Sequence, residues 1–295
     1  WQVRLGLILY RLLAGRKNLA GFRRLPRSEW AQLEGLNTSN LDCVFLYQDA
    51  QTDDKLLTQR VVDSARQHGA TLLCPTKFLT AERCDEGYLV TVAENDEITT
   101  LKCRRLVNAA GPWVNRVAET IDPKPPTIDV DLVKGTHIEF SEQLSESCFY
   151  LEAQQDHRAV FVLPHKGGTL LGTTEILFDG NPDGVSPSSE EVDYLLEIVR
   201  YQFPHFNHHP INAWAGLRVL PSNDKSPFKR SREVQFAEGD NYLAVYGGKL
   251  TGYRATAEAA LKKILKSMRL ESEANPNGSQ SSVPFKIIDS SKVNI

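Results

Sequence analysis

YLAVYGGKLTGYRATAEAALKKIL, Tyr242 to Leu265, decides how this sequence is read. Its opening residues form the apolar run of a buried strand, Gly247 and Gly248 stop that strand, and a helix is expected from about Thr251 onward. Paired glycines let main-chain amides approach a bound group, and the first turn of a helix offers unpaired N–H groups under a partial positive charge. Lys249 sits in the same turn. Two readings share this pattern: a connection that needs glycine for its backbone angles, and a cradle for an oxygen-rich or anionic group.

The 295 residues are 41% hydrophobic, enough for a sizeable core in one large or two intertwined domains. A formal charge of -3, without aromatic residues set among long basic tracts, argues against nucleic acid as a partner. Five cysteines, at 43, 74, 84, 103 and 148, make no CxxC pair and no metal-ligand spacing. Their odd total fits reduced thiols in a cytosolic fold, and no metal is expected. No stretch approaches the ~20 apolar residues that span a bilayer. The chain starts at Trp1 without Met or a signal-peptide cleavage pattern, so further residues are expected upstream.

Outward from the glycine turn, the rest of the chain divides into patterned stretches. WQVRLGLILYRLLAG sets Trp1, Leu5, Ile8, Leu9, Leu12 and Leu13 on one side of a helix, and residues 1 to 28 hold seven Arg or Lys and no acid. Such a helix either lies on an anionic membrane surface or packs on a core. Asp54 to His68 reads as an amphipathic helix closed by Gly69, followed by ATLLC (70 to 74) as a buried strand. GYLVTVAE and ITTLKC read as a hairpin across Glu94 to Glu97. In CRRLVNAAGPWVNRVAETI a strand leads through the Ala110-Gly111-Pro112 turn into a helix opening at Pro112 or Trp113. These elements make half of a nucleotide-binding α/β domain.

Residues 127 to 239 change character. DVDLVKGTHIEF, RAVFVLP, TLLGTTE, INAWAGLRVL and REVQF read as a mostly antiparallel sheet, interrupted by a helix that starts at the capping box Ser188 to Glu191. After Lys266 the sequence turns polar, as a linker or tail.

Chemistry-bearing positions follow from this layout. The turns at Gly111 and at Gly247-Gly248 fit two sides of one ligand at the carboxyl ends of parallel strands, although G-x-G-x-x-G occurs nowhere in the sequence. Arg218 ends one strand, Arg232 opens another, and Lys249 and Arg254 flank the glycine turn. Two converging guanidinium groups suit bidentate capture of a phosphate or carboxylate, while arginines at strand ends also serve as plain surface charge. His137 is a candidate general base or a hydrogen-bonded structural histidine. Glu175 reads as a supporting acid or a turn residue. His208-His209 reads as loop surface, with no third ligand for a metal.

Taken in order, LVNAAGPWV, LVKGTHI, RAVFVLP, LLGTTE, WAGLRVL and VYGGKLTGYRATAEAAL closely resemble the FAD-dependent glycerol-3-phosphate dehydrogenases, flavoproteins of the D-amino-acid-oxidase-like group. The likeness runs from Trp1 to about Pro284. It implies a partial FAD-binding Rossmann-like α/β domain (43–125 and 240–268) interleaved with a mostly antiparallel substrate, or cap, domain (126–239). A basic helix and connection (1–42) and a polar tail (269–295) flank them.

The resemblance implies FAD contacts at Gly111, Pro112 and Trp113 and at Gly247, Gly248, Lys249, Leu250 and Thr251. It assigns Arg218 and Arg232 to substrate phosphate, and His137 and Lys249 to catalysis. Glycerol 3-phosphate is the implied substrate, the alternatives being an amine, amino acid or hydroxy acid in the same flavin fold or a non-catalytic fragment, and a quinone is the implied electron acceptor, with a membrane surface and a second copy of the chain as further partners. The expected location is cytoplasmic, peripheral on the inner face of the membrane. Val219, Leu56, Gly252 and Glu175 stand where the family usually has Pro, Arg, Thr and Asp, departures that bear on the substrate. The family's N-terminal glycine fingerprint and C-terminal helical domain fall outside this sequence.

Overall fold

The computed structural model describes residues 2–15, 21–33, 35–222 and 230–274. Trp1 and the tail beyond 274, both read from the sequence above, lie outside the described residues. In chain order the elements begin with α1 (Gln2–Ala14), β1 (Arg23–Leu25), β2 (Val44–Leu46), α2 (Asp54–Gln67), β3 (Lys77–Cys84), β4 (Gly87–Glu94) and β5 (Glu97–Cys103). There follow β6 (Leu106–Asn108), α3 (Val114–Glu119), β7 (Ile121–Asp122), β8 (Val130–Phe140), β9 (Phe149–Glu152), β10 (Ala159–His165), β11 (Gly168–Gly172) and β12 (Ile176–Phe178). The chain continues through α4 (Ser189–Gln202), β13 (Asn212–Pro221), β14 (Gln235–Gly239), β15 (Tyr242–Tyr246) and α5 (Tyr253–Ala274).

Two compact units emerge, and the chain passes from one to the other after Thr52 and Pro182 and within β8, β12 and β13. The first holds Trp1–Thr52, Lys134–Ile176 and Asp183–Leu217. In it β8, β11, β10 and β9 lie side by side, antiparallel, with α4 among the core residues of one sheet face. Ile138, Val160, Val162 and Leu171 point to that face and meet Leu195, Ile198, Val199 and Phe203, all buried. Each such side chain contributes roughly 1.5–3 kcal/mol by leaving water. The capping box fixes where α4 starts: Ser188 Oγ accepts from Glu191 N, and the Glu191 carboxylate accepts from Ser188 N.

The second unit holds Asp53–Val133, Leu177–Pro182 and Arg218–Ile295. Its sheets are β14-β15-β6 and β5-β4-β3-β7. The expected hairpin is β4 and β5, turned by Asn95 and Asp96 at positive φ (47° and 67°). Tyr88, Val90, Val114, Ala244 and Tyr246 fill its core.

Several expectations need correction. ATLLC is not a strand: residues 71–74 are irregular and exposed, because no described strand offers them a ladder and Pro75 lacks a donor. The REVQF run yields β14, which pairs with β15 and not with the larger antiparallel sheet. Helix α5 begins at Tyr253, after a 3-10 turn over Leu250–Gly252, and runs to Ala274, past Lys266, since Leu, Glu, Arg and Ala propagate a helix well. Helix α1 forms, and apart from half-buried Leu7 its described apolar residues stay exposed, Leu13 at 88%. Among the described residues no helix is long and apolar enough to cross a membrane.

Candidate functional site

In the second unit the site is built on two neighbouring parallel strands. β6 and β15 pair in register, Leu106 with Tyr242 and Asn108 with Ala244, so both glycine-bearing turns leave from their carboxyl ends. Buried Asn108 ties the pair together: its Nδ2 donates to Val114 O (2.9 Å) and Tyr242 Oη (3.0 Å), and its Oδ1 accepts from Ala110 N (3.2 Å). Gly111 and Pro112 are half-buried and Trp113 is exposed. Tyr246 Oη donates to Asn115 Oδ1 (2.8 Å), anchoring the end of β15. Burial pushes the Tyr246 hydroxyl pKa up, so it remains a neutral donor.

Gly247 and Gly248 follow at φ +65° and +86°, a region that disfavours side chains, and both are exposed. A Cβ at Gly247 would lie 3.2 Å from Val219 O and 3.3 Å from Glu233 O. Val219 follows Arg218, and Glu233 follows Arg232. The glycine turn therefore draws together the main-chain positions of the two predicted arginines. Arg218 and Arg232 are half-buried, but Arg218 lies inside β13 and does not end it, and Arg232 lies in the irregular segment before β14 and opens no strand; Lys249, Leu250 and Thr251, at the start of the helical turn, are exposed. Arg230, which the sequence reading passed over, is buried against Asp131 and held by an ion pair.

His137 belongs to the first unit. Its cross-strand partner is Gly172, whose other partner is Phe161, and Phe161 in turn faces Tyr150. Directly opposed residues share a sheet face, so Tyr150, Phe161, Gly172 and His137 form one row on the face opposite α4. The row continues the alternation of the strands: Phe161 is 41% exposed, while Val160 and Val162 on either side are buried. Tyr150 and Phe161 meet edge to face at 5.0 Å, and Trp214 stacks on His137 with centroids 5.9 Å apart and planes at 15°.

Beneath this row lies a polar network that the sequence did not reveal. Glu191 is 1% exposed, and its carboxylate accepts from Lys134 Nζ (2.7 Å) and Thr174 Oγ1 (2.6 Å). Thr174 Oγ1 accepts from Thr136 N (2.9 Å), beside His137. Burial raises the Glu191 pKa, but the hydrogen bonds from Lys134, Thr174 and Ser188 N outweigh it and hold the carboxyl below its usual range. Glu175, the candidate supporting acid, is half-buried, and its main-chain carbonyl accepts from Arg158 Nη1 (2.7 Å).

Thus Arg218, Arg232, Gly111 to Trp113 and Gly247 to Thr251 share one unit, and His137 lies in the other. Asn108, Gly172 and Trp214 were missed as site residues. The one signal for Asn108 was a polar residue ending an apolar strand just before a glycine turn.

The chain is 34% identical over 277 residues to a D-erythritol 1-phosphate dehydrogenase of Brucella abortus, covering 90% of this chain and 54% of that protein. It is 32% identical over 278 residues to a glycerol-3-phosphate dehydrogenase of Pseudomonas aeruginosa, covering 90% and 53%. The chain spans about half the length of the curated relatives it matches. The structure of the glycerol-3-phosphate dehydrogenase from Bacillus halodurans complexed with FAD superposes with a TM-score of 0.69 at 27% identity, over 82% of this chain and 49% of that one. The α/β fold with mixed and antiparallel sheets matches that neighbour. A family model described as FAD dependent oxidoreductase matches residues 4–260. Glycine-turned parallel strands and an antiparallel sheet are thus joined in one chain that belongs to the FAD dependent oxidoreductase family.

Proposed function

We propose that the whole protein oxidises the secondary hydroxyl of a small polyol phosphate, glycerol 3-phosphate first among them, with FAD as its cofactor. The observation that carries this reading is the approach of β13, which holds Arg218, and of the irregular segment before β14, which holds Arg232, to the Gly247 turn, next to Lys249. That surrounding suits a dianionic phosphate better than a single carboxylate.

The residues present fit part of FAD. Two exposed glycines at positive φ ahead of a helix admit an oxygen-bearing group to within reach of main-chain amides, and the Gly111 turn lies at the end of the adjacent strand. The pyrophosphate fingerprint G-x-G-x-x-G is not in this sequence. FAD, when bound, supplies the acceptor for the hydride.

The chain's own residues then have distinct tasks. Arg218 and Arg232 hold the phosphate, and this binding energy orients the carbon that reacts. His137 takes the hydroxyl proton on an imidazole nitrogen. Lys249 polarises the substrate oxygen, or would favour negative charge on FAD when that group is bound. A quinone as final acceptor and a peripheral place on the inner face of the cytoplasmic membrane complete the reading, supported by the exposed apolar side and basic residues of α1. Anionic vesicles should co-sediment the protein, and binding that persists after Arg4, Arg11, Arg23 and Arg24 are changed to Gln contradicts the membrane part.

The test is anaerobic mixing of the purified whole protein with candidate substrates while its visible flavin band is followed. Glycerol 3-phosphate should bleach the band and glycine should not. Bleaching by glycine or another amino acid, with none by a polyol phosphate, overturns the reading in favour of a carboxylate substrate held by Arg218. Erythritol 1-phosphate belongs in the same series, because one relative is named for it.

A further inference from the structure

The ring of His137 lies where a side chain at residue 172 would be. A Cβ built on Gly172 would fall 2.2 Å from His137 Cδ2 and 2.8 Å from its Cγ and Nε2, distances that no real Cβ contact tolerates. Gly172 is His137's registered partner across β8 and β11, so on this sheet face the imidazole leans over the one position of the row that has no side chain. On β13, Trp214 stacks on the same ring, nearly parallel to it. The neighbouring rows on the opposite face, Ile138 and Leu171, are buried and fix the two strands.

We infer that Gly172 and Trp214 form a seat for the His137 imidazole, Gly172 by leaving the space and Trp214 by covering the ring, and that both are positioning residues acting through His137. A strand residue on an open sheet face otherwise has several side-chain rotamers. A proton acceptor that samples them spends little time oriented to its donor, and small misplacements are costly in rate. Lys134, Thr174 and Glu191 hold the backbone just before the ring, since Thr136 N and O bond to Thr174 Oγ1 and N. The seat therefore rests on a fixed floor. The catalytic consequence rests on the assignment of His137 as proton acceptor; the seat itself does not.

The experiment reads the imidazole directly. In the 295-residue chain with isotope-labelled histidine, the His137 ring signals are identified by their loss in His137→Gln. Trp214→Ala should shift the His137 Cδ2-H and Cε1-H resonances as the ring current is lost, and Trp214→Phe should restore most of that shift. Gly172→Ala should move the same signals while the other histidines stay in place. Should Gly172→Ala not fold, the Trp214 pair still decides. His137 signals unmoved in Trp214→Ala overturn the seat.

In the whole protein, Trp214→Ala should lower kcat roughly 10-fold with KM unchanged and should cost nothing further in a His137→Gln background. An additive loss there means a merely structural role and overturns the positioning claim. If His137→Gln itself leaves kcat unchanged, the proton-acceptor assignment fails, while the resonance shifts still report on the seat.

Discussion

Helices α2 and α4 are both 14 residues long, and each starts at a side-chain cap, Asp53 accepting from Leu56 N and Ser188 from Glu191 N. Their apolar residues recur at helical spacing in both. Yet α4 buries Leu195, Ile198 and Val199 against a sheet, whereas α2 has no buried residue and leaves Leu56 56% exposed. Caps and periodicity set where a helix begins and ends, and burial depends on whether another surface is offered to its apolar side. The same distinction separates the buried strands of the first unit from residues 71–74, apolar in sequence and exposed in structure.

The contrast can be pressed at four positions, all read by urea unfolding of this chain. The largest effect is expected for Glu191→Ala, which leaves Lys134, only 12% exposed, without its carboxylate and should cost about 3–5 kcal/mol. Leu195→Ala opens a cavity under the sheet and should cost about 2–5 kcal/mol. Ser188→Ala removes the cap acceptor, worth ~1 kcal/mol. Leu56→Ala should change stability by less than about 0.5 kcal/mol. A loss at Leu56 equal to that at Leu195 would erase the distinction between the two helices.

Acidity sharpens the first of these. Because the folded-state pKa of Glu191 is lowered, its contribution is fully present above the unfolded carboxylate pKa of about 4.3 and is lost as pH falls through the folded value. Glu191→Gln should accordingly be less stable than the parent at neutral pH, and the gap should narrow below about pH 4. A gap that stays constant into acid means the carboxylate's charge is not what matters.

What the sequence made legible was local. Asn95-Asp96 between alternating runs announced the hairpin, Ser188 to Glu191 the start of α4, and Gly247-Gly248 the end of β15, each through a backbone demand that residue type alone expresses. What stayed hidden was distant in the chain. β3 pairs with β7 in parallel, Ala81 with Ile121, β15 pairs with β6, Ala244 with Asn108, and Asn108 bonds Tyr242 across more than a hundred residues. In the same way Glu191 meets Lys134 and Arg230 meets Asp131, pairings that no spacing encodes. His137, Arg218, Arg232 and Lys249 were singled out by residue type and resemblance, whereas Gly172 and Trp214 became visible only with strand register and ring geometry.

The most direct test of the phosphate clamp is the steady-state KM of the whole protein for glycerol 3-phosphate after Arg218→Ala. Loss of a charged hydrogen bond of about 1.5–3 kcal/mol should raise KM roughly 10- to 100-fold. A KM that does not change would contradict the placement of Arg218 at the substrate and, with it, the reading of the Gly247 turn as the centre of the site.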